Sequence, residues 1–176
     1  AIQLLNGLAS ASSLFLVSAG LSLIFGVTRI VNFAHGSFFL LGIYIAYSLA
    51  TFFSNAFGFW SAIVLSAILV GLIGALIEIT LLKRIYKAPE LFQLLATFAL
   101  VLVIKDTVLW LWGPDELLGP RAPGFKGAVM LLDRPFPSYD LFLIVIGPVI
   151  LGLLWLLLKK TRWGTLIRAA TQDREM

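Results

Sequence analysis

Asn32-Phe33-Ala34-His35-Gly36 places an amide, an imidazole and a glycine together inside an otherwise apolar stretch. If this segment breaks a helix at membrane depth, the Asn32 and His35 side chains can satisfy freed backbone groups, Gly36 allows the turn, and the following helix presents its amino end to the break. Such a break suits the wall of a solute pathway. It equally suits a tight turn whose lone histidine serves only as a hydrogen-bonding group. Three further charges, Glu78, Lys105 and Asp106, lie within apolar runs, where an ionised group is costly and function is a natural suspicion. Glu78 is about one helical turn from Lys83, and Lys105 and Asp106 are within about two turns of Trp112, so all three can snorkel or pair with neighbouring helices.

Other chemistry is excluded more simply. Cysteine is absent, which removes disulfides, thiol nucleophiles and thiolate metal sites, and the single histidine cannot build a metal site alone. No phosphate-binding loop, nucleophile motif or metal-ligand spacing occurs, so no catalytic residue and no cofactor bound by this chain is expected. The pair Asp115-Glu116 sits in a proline-rich stretch and reads as a solvated face.

The elements that position these residues follow from composition. The 176 residues are 60% hydrophobic and only 12% charged, with a mean hydropathy of +1.01. A water-soluble fold cannot hide that much apolar surface. The expected fold class is all-α, a polytopic transmembrane helical bundle of about five spans at roughly 20 residues each. The runs extend from about Ile2 to Val27, Ser37 to Phe53, Phe59 to Leu82, Leu91 to Trp112 and Tyr139 to Leu158. Pro148 is expected to kink the last of them. Small residues four apart, at Ser18, Ser22 and Gly26, at Gly42, Ala46 and Ala50, and at Ala67, Gly71 and Ala75, form ridges along which helices pack in lipid.

Charge placement sets the sidedness. The net charge of +4 is concentrated in two clusters, Lys83, Arg84 and Lys87, and Lys159 to Arg174. The positive-inside rule puts both in the cytoplasm, leaving the turn at 54–58 and the loop at 113–138 outside. That external loop holds five of the seven prolines. Counting back places Ala1 outside, unless the 32–36 junction is re-entrant, in which case the amino terminus changes side. No basic and aromatic stripe offers a nucleic-acid surface; lipid is the expected contact. After Lys160 the chain turns polar, and Arg162, Gly164 and Arg168 fit a short helix along the membrane face, with Gly164 giving room to turn. The chain begins at Ala1 without a methionine and stops at Asp173-Arg174-Glu175-Met176 within a polar segment, so the expectation is the amino-terminal part of a longer membrane protein.

At Asn6-Gly7-Leu8, Gly20-Leu21-Ser22-Leu23-Ile24-Phe25-Gly26-Val27 and Ile30-Val31-Asn32-Phe33-Ala34-His35-Gly36, the sequence resembles the H-type permease of bacterial branched-chain amino-acid ABC importers. Glu78 followed by Leu82-Lys83-Arg84-Ile85-Tyr86-Lys87-Ala88-Pro89 is similar to that family's glutamate, basic cluster and proline loop, and Trp112-Gly113-Pro114 to the end of its next span. Thr161-Arg162-Trp163-Gly164, Ile167-Arg168-Ala169 and Asp173-Arg174-Glu175-Met176 resemble the start of the segment that docks on the ATPase. The resemblance implies a transport subunit in a bacterial inner membrane, working with a second permease subunit, two cytoplasmic ATPases that use the ATP, and an external solute-binding protein. It also implies docking roles for Arg162, Gly164, Arg168, Asp173 and Glu175. Permeases for urea and short amides carry a similar junction. A secondary transporter or channel subunit shares the composition without needing a docking segment.

Overall fold

The computed structural model describes residues 2–28, 32–53, 55–115, 117, 119–120, 122–125, 127–131 and 134–172. The charged residues Arg29, Glu116, Arg121, Lys126, Asp133, Asp173, Arg174 and Glu175 lie outside these. Among the described residues, five helices are long and apolar enough to cross a membrane. The chain divides into two compact units, residues 30–123 and residues 1–29 with 124–176.

In the first unit, α2 (Ala34–Phe52), α3 (Ala56–Ile77) and α5 (Glu90–Trp112) are joined by tight turns. The turn after α2 closes when the Asn55 side chain accepts the Gly58 N–H, which caps α3. Gly58 is obligatory there, because a Cβ would collide with Phe53. At the far end α3 passes into a π-helical turn, Glu78–Leu82, and a last short helix α4, Lys83–Ile85. Pro89 then starts α5, which ends at Gly113 in a left-handed conformation, φ 82°.

Two reversals make α2 and α5 parallel. Trp112 Nε1 donates to Ser48 Oγ at 2.7 Å, and the Tyr44 and Trp112 rings lie 5.4 Å apart, so both carboxyl ends meet. Along the pair, Ala34 and Leu41 share a buried core with Leu100, Ile104 and Val108, and Val70, Ile73 and Ile77 of α3 pack against it. The start of α2 therefore shares an end with Lys83, Arg84 and Lys87. Of the expected small-residue ridges in this unit, Gly42 does face α3, where its Cβ would stand 3.6 Å from Val70. Ala67, Gly71 and Ala75 instead face outward.

In the second unit, α1 (Ile2–Thr28) and α6 (Ser138–Lys160) also run parallel. Asn6 and Ser10 share a cleft with Asp140, Ser12 meets Gly147, and Ser22 shares a second cleft with Trp155 and Leu158, so positions rise together along both helices. Helix α6 continues unbroken through Pro148. The 113–138 stretch is more than a loop: β1 (Ala128–Leu131) pairs antiparallel with β2 (Arg134–Pro137), and Phe136 is almost wholly buried. Pro135 and Pro137 speak against a strand in sequence. A two-stranded ribbon tolerates them because each strand has a free edge. The Ser138 N–H and hydroxyl both donate to the Gly127 carbonyl and fasten the hairpin to α6.

The apolar side chains left exposed, such as Leu72, Leu76, Phe98, Val103 and Leu153, are spread around every long helix. Helices apolar on all faces belong in lipid or against further membrane segments.

Candidate functional site

The 32–36 segment begins α2. Asn32 Oδ1 accepts the Ala34 N–H at 3.0 Å and the Asn32 carbonyl accepts the His35 N–H at 3.2 Å, which satisfies two of the donors that a helix start leaves free. Helix α2 starts three residues before the expected span, so His35 and Gly36 are already helical. It has 19 residues, and at roughly 1.5 Å per residue it is about 28 Å long. That length matches the hydrocarbon core of a bilayer. Ala34 is fully buried, His35 half-buried and Phe33 exposed. Gly36 has open space where a Cβ would stand, so its conformational freedom is not what the turn uses.

Glu78 opens the π-helical turn and accepts a hydrogen bond from the Tyr86 hydroxyl. Single π turns widen a helix locally and shift the register of its side chains. Gln93, buried in the first turns of α5, reaches back with Nε2 to the carbonyls of Tyr86 at 3.1 Å and Ala88 at 2.8 Å. Glu78, Tyr86 and Gln93 thereby tie the end of α3, the basic turn and the start of α5 into one connected polar group. Composition and motifs did not single out Gln93. The signal is its place in the stripe Gln93, Thr97, Leu100, Ile104 and Val108, all buried on one face of α5. Lys105 and Asp106 are exposed on other faces of α5 and do not join this group.

The segment after Lys160 is a strongly amphipathic helix, α7, Arg162–Gln172. Thr161 is the pivot: its hydroxyl donates to the Leu157 carbonyl at 2.6 Å and accepts the Gly164 N–H at 3.1 Å, joining the end of α6 to the start of α7. Gly164 gives the chain room to turn. It is buried in the first turn of α7, where a Cβ would collide with the Leu157 and Leu158 carbonyls. Arg162 is exposed. Arg168 lies in α7 with its side chain outside the described set, and Asp173 and Glu175 lie outside the described residues altogether.

Clefts open along α1 and α6. The one at their amino ends, about 460 Å³, is lined by Asn6, Ser10, Ser13, Asp140, Phe136 and Leu143 among others. Among the described residues, no three His, Asp or Glu side chains gather as a metal site would require.

A family model described as the permease component of branched-chain amino acid transport systems matches residues 3–176. The chain is 25% identical over 183 residues to the high-affinity branched-chain amino acid transport system permease protein BraD of Pseudomonas aeruginosa, an alignment covering 99% of this chain. The same alignment covers 60% of that relative, so the chain spans under two thirds of its length. No solved structure matches.

Proposed function

The chain belongs to the family of permease components of branched-chain amino acid transport systems, and on that premise we propose that it forms part of the membrane pathway of an ATP-driven importer for branched-chain amino acids or related small polar solutes. The family and the five apolar helices make it a multi-pass membrane protein. Its proposed setting is a bacterial inner membrane, where an H-type subunit pairs with a second permease subunit. Two cytoplasmic ATPases bind and hydrolyse ATP, and an external binding protein selects the solute.

The family match over nearly the whole chain carries this reading. Sidedness follows from the basic clusters: α3 and α6 deliver Lys83, Arg84, Lys87, Lys159 and Lys160 to the cytoplasm, and the parallel α1 then begins outside. Helix α7 follows directly at the cytoplasmic end of α6, and the segment 162–175 is proposed to dock on the ATPase through Arg162, Arg168, Asp173 and Glu175. Thr161 and Gly164 make the α6 to α7 joint compact, and a compact joint transmits displacement better than a loose linker. The 32–36 segment lies at the same end of its own unit as Lys83, Arg84 and Lys87 and is proposed to contact the solute as it leaves.

The test is uptake of radiolabelled leucine into proteoliposomes containing the assembled importer. Uptake that requires both internal ATP and external binding protein is expected. Uptake driven by an ion gradient without ATP would identify a secondary transporter instead.

A further inference from the structure

The cleft at the amino ends of α1 and α6 has a composition that a packing defect between apolar helices would lack. Its volume of about 460 Å³ falls in the usual range for small-molecule sites. One wall carries a single carboxylate, Asp140, with the neutral donors Asn6, Ser10 and Ser13 opposite on α1. Leu143 and the buried strand residue Phe136 supply an apolar surface between them. Ser13 already donates to the Ala9 carbonyl at 3.3 Å, which leaves Asn6 and Ser10 as the freer donors. One negative group, two neutral donors and an apolar wall are the complement of a small zwitterion with an apolar side chain.

We infer that this cleft receives the solute as an amino-acid zwitterion, Asp140 taking its ammonium group while Asn6 and Ser10 donate to its carboxylate. The inference rests on the importer reading and deepens it. A permease for urea or a short amide handles a neutral solute and has no use for a carboxylate beside its pathway, so Asp140 separates the two substrate classes. In the proposed sidedness the cleft opens at the outer end, where solute arrives from the binding protein. Leu143 and Phe136 contribute shape and apolar contact, and the ammonium pairing supplies discrimination, because a buried or half-buried acceptor rejects an analogue that lacks the matching donor.

The absence of native cysteine allows a direct test. Ser10→Cys, and as a control Val129→Cys on the exposed hairpin, are introduced into the assembled importer, and the rate of modification by an impermeant thiol reagent is measured with and without millimolar leucine. Leucine and leucinamide, which keep the ammonium, should slow modification at position 10 and leave position 129 unchanged. N-acetylleucine and acetamide should not. Adding Asp140→Asn should abolish the protection and lower the maximal leucine uptake rate by about tenfold or more, the scale of one charge-assisted hydrogen bond. Asp140→Glu, which keeps the charge, should retain protection and show that the loss is not misfolding. Absence of protection in the parent, protection by acetamide equal to that by leucine, or protection unchanged by Asp140→Asn would each overturn the inference. Failure of the importer reading is distinct: the unsubstituted importer would show no ATP-dependent leucine uptake at all.

Discussion

Ser12 occupies the space where a side chain on Gly147 would stand. A Cβ at Gly147 would lie 2.8 Å from Ser12 Oγ and 2.9 Å from its Cβ, closer than side chains tolerate. Helices in lipid gain little from hydrophobic burial against one another, so close approach of this kind is a main source of their association. The contact falls near the middle of α6, immediately before Pro148.

Gly147→Ala should accordingly destabilise the α1 and α6 pair by about 1–3 kcal/mol, the usual cost of overpacking. Ser12→Gly introduced with it should recover most of that loss. Thermal unfolding of the detergent-solubilised protein, followed by size-exclusion chromatography, measures both. Additive losses in the double variant would show that the two residues do not share the space.

Gln93 holds two carbonyls of the basic turn from within α5. Gln93→Leu keeps the bulk and removes both donors, at an expected cost of about 1–3 kcal/mol for two lost hydrogen bonds to partly buried carbonyls. The local consequence should be a looser turn, seen as faster thiol modification of Lys87→Cys than in the parent protein. An unchanged rate would show that the turn is held by its backbone alone.

Gly164→Ala should disrupt the joint between α6 and α7, since the carbonyls of Leu157 and Leu158 block even a methyl group. Thr161→Ala, which removes a helix cap, should be milder at about 1 kcal/mol. If α7 couples the permease to its ATPase, Gly164→Ala lowers uptake more than it lowers ATP hydrolysis stimulated by the loaded binding protein. Equal losses of both would point to failed assembly, and full retention of both would remove α7 from the coupling route.

Labelling of single cysteines by impermeant reagents tests the sidedness. Leu4→Cys and Val129→Cys, both on exposed positions of the α1 and hairpin end, should react only from outside. Lys87→Cys and Lys160→Cys should react only from the cytoplasm. Reaction of Leu4→Cys from the cytoplasmic side would reverse α1 and with it the outward opening of the Asp140 cleft.

The span boundaries were legible in the sequence because solvation by lipid is a property of a run and not of its partners. The onsets of α5 at Glu90 and the end of α6 at Lys160 fall within two residues of the hydropathy boundaries. The start of α2 lies three residues before the hydropathy boundary, because Asn32 and His35 are polar and Asn32 serves the helix start. The hairpin is not legible in the sequence, because Pro135 and Pro137 argue against a strand except at a free edge, and only the two-stranded pairing supplies one.

What the sequence determined by itself was therefore the solvent, the number of spans and the places where chain meets water, all of which depend on local composition. It also carried the family, in short motifs such as Asn32 to Gly36. Tertiary structure alone decided which face of each helix points inward, since helices apolar on every side carry no periodic signal to orient them. It brought Ser12 to Gly147 and Asn6 to Asp140 across more than 130 positions of chain, and it turned Gln93 from one polar residue among many into the tie between a turn and a helix. Close packing and hydrogen bonding depend on the atoms that arrive from elsewhere in the chain, and in an apolar bundle only the assembled helices specify them.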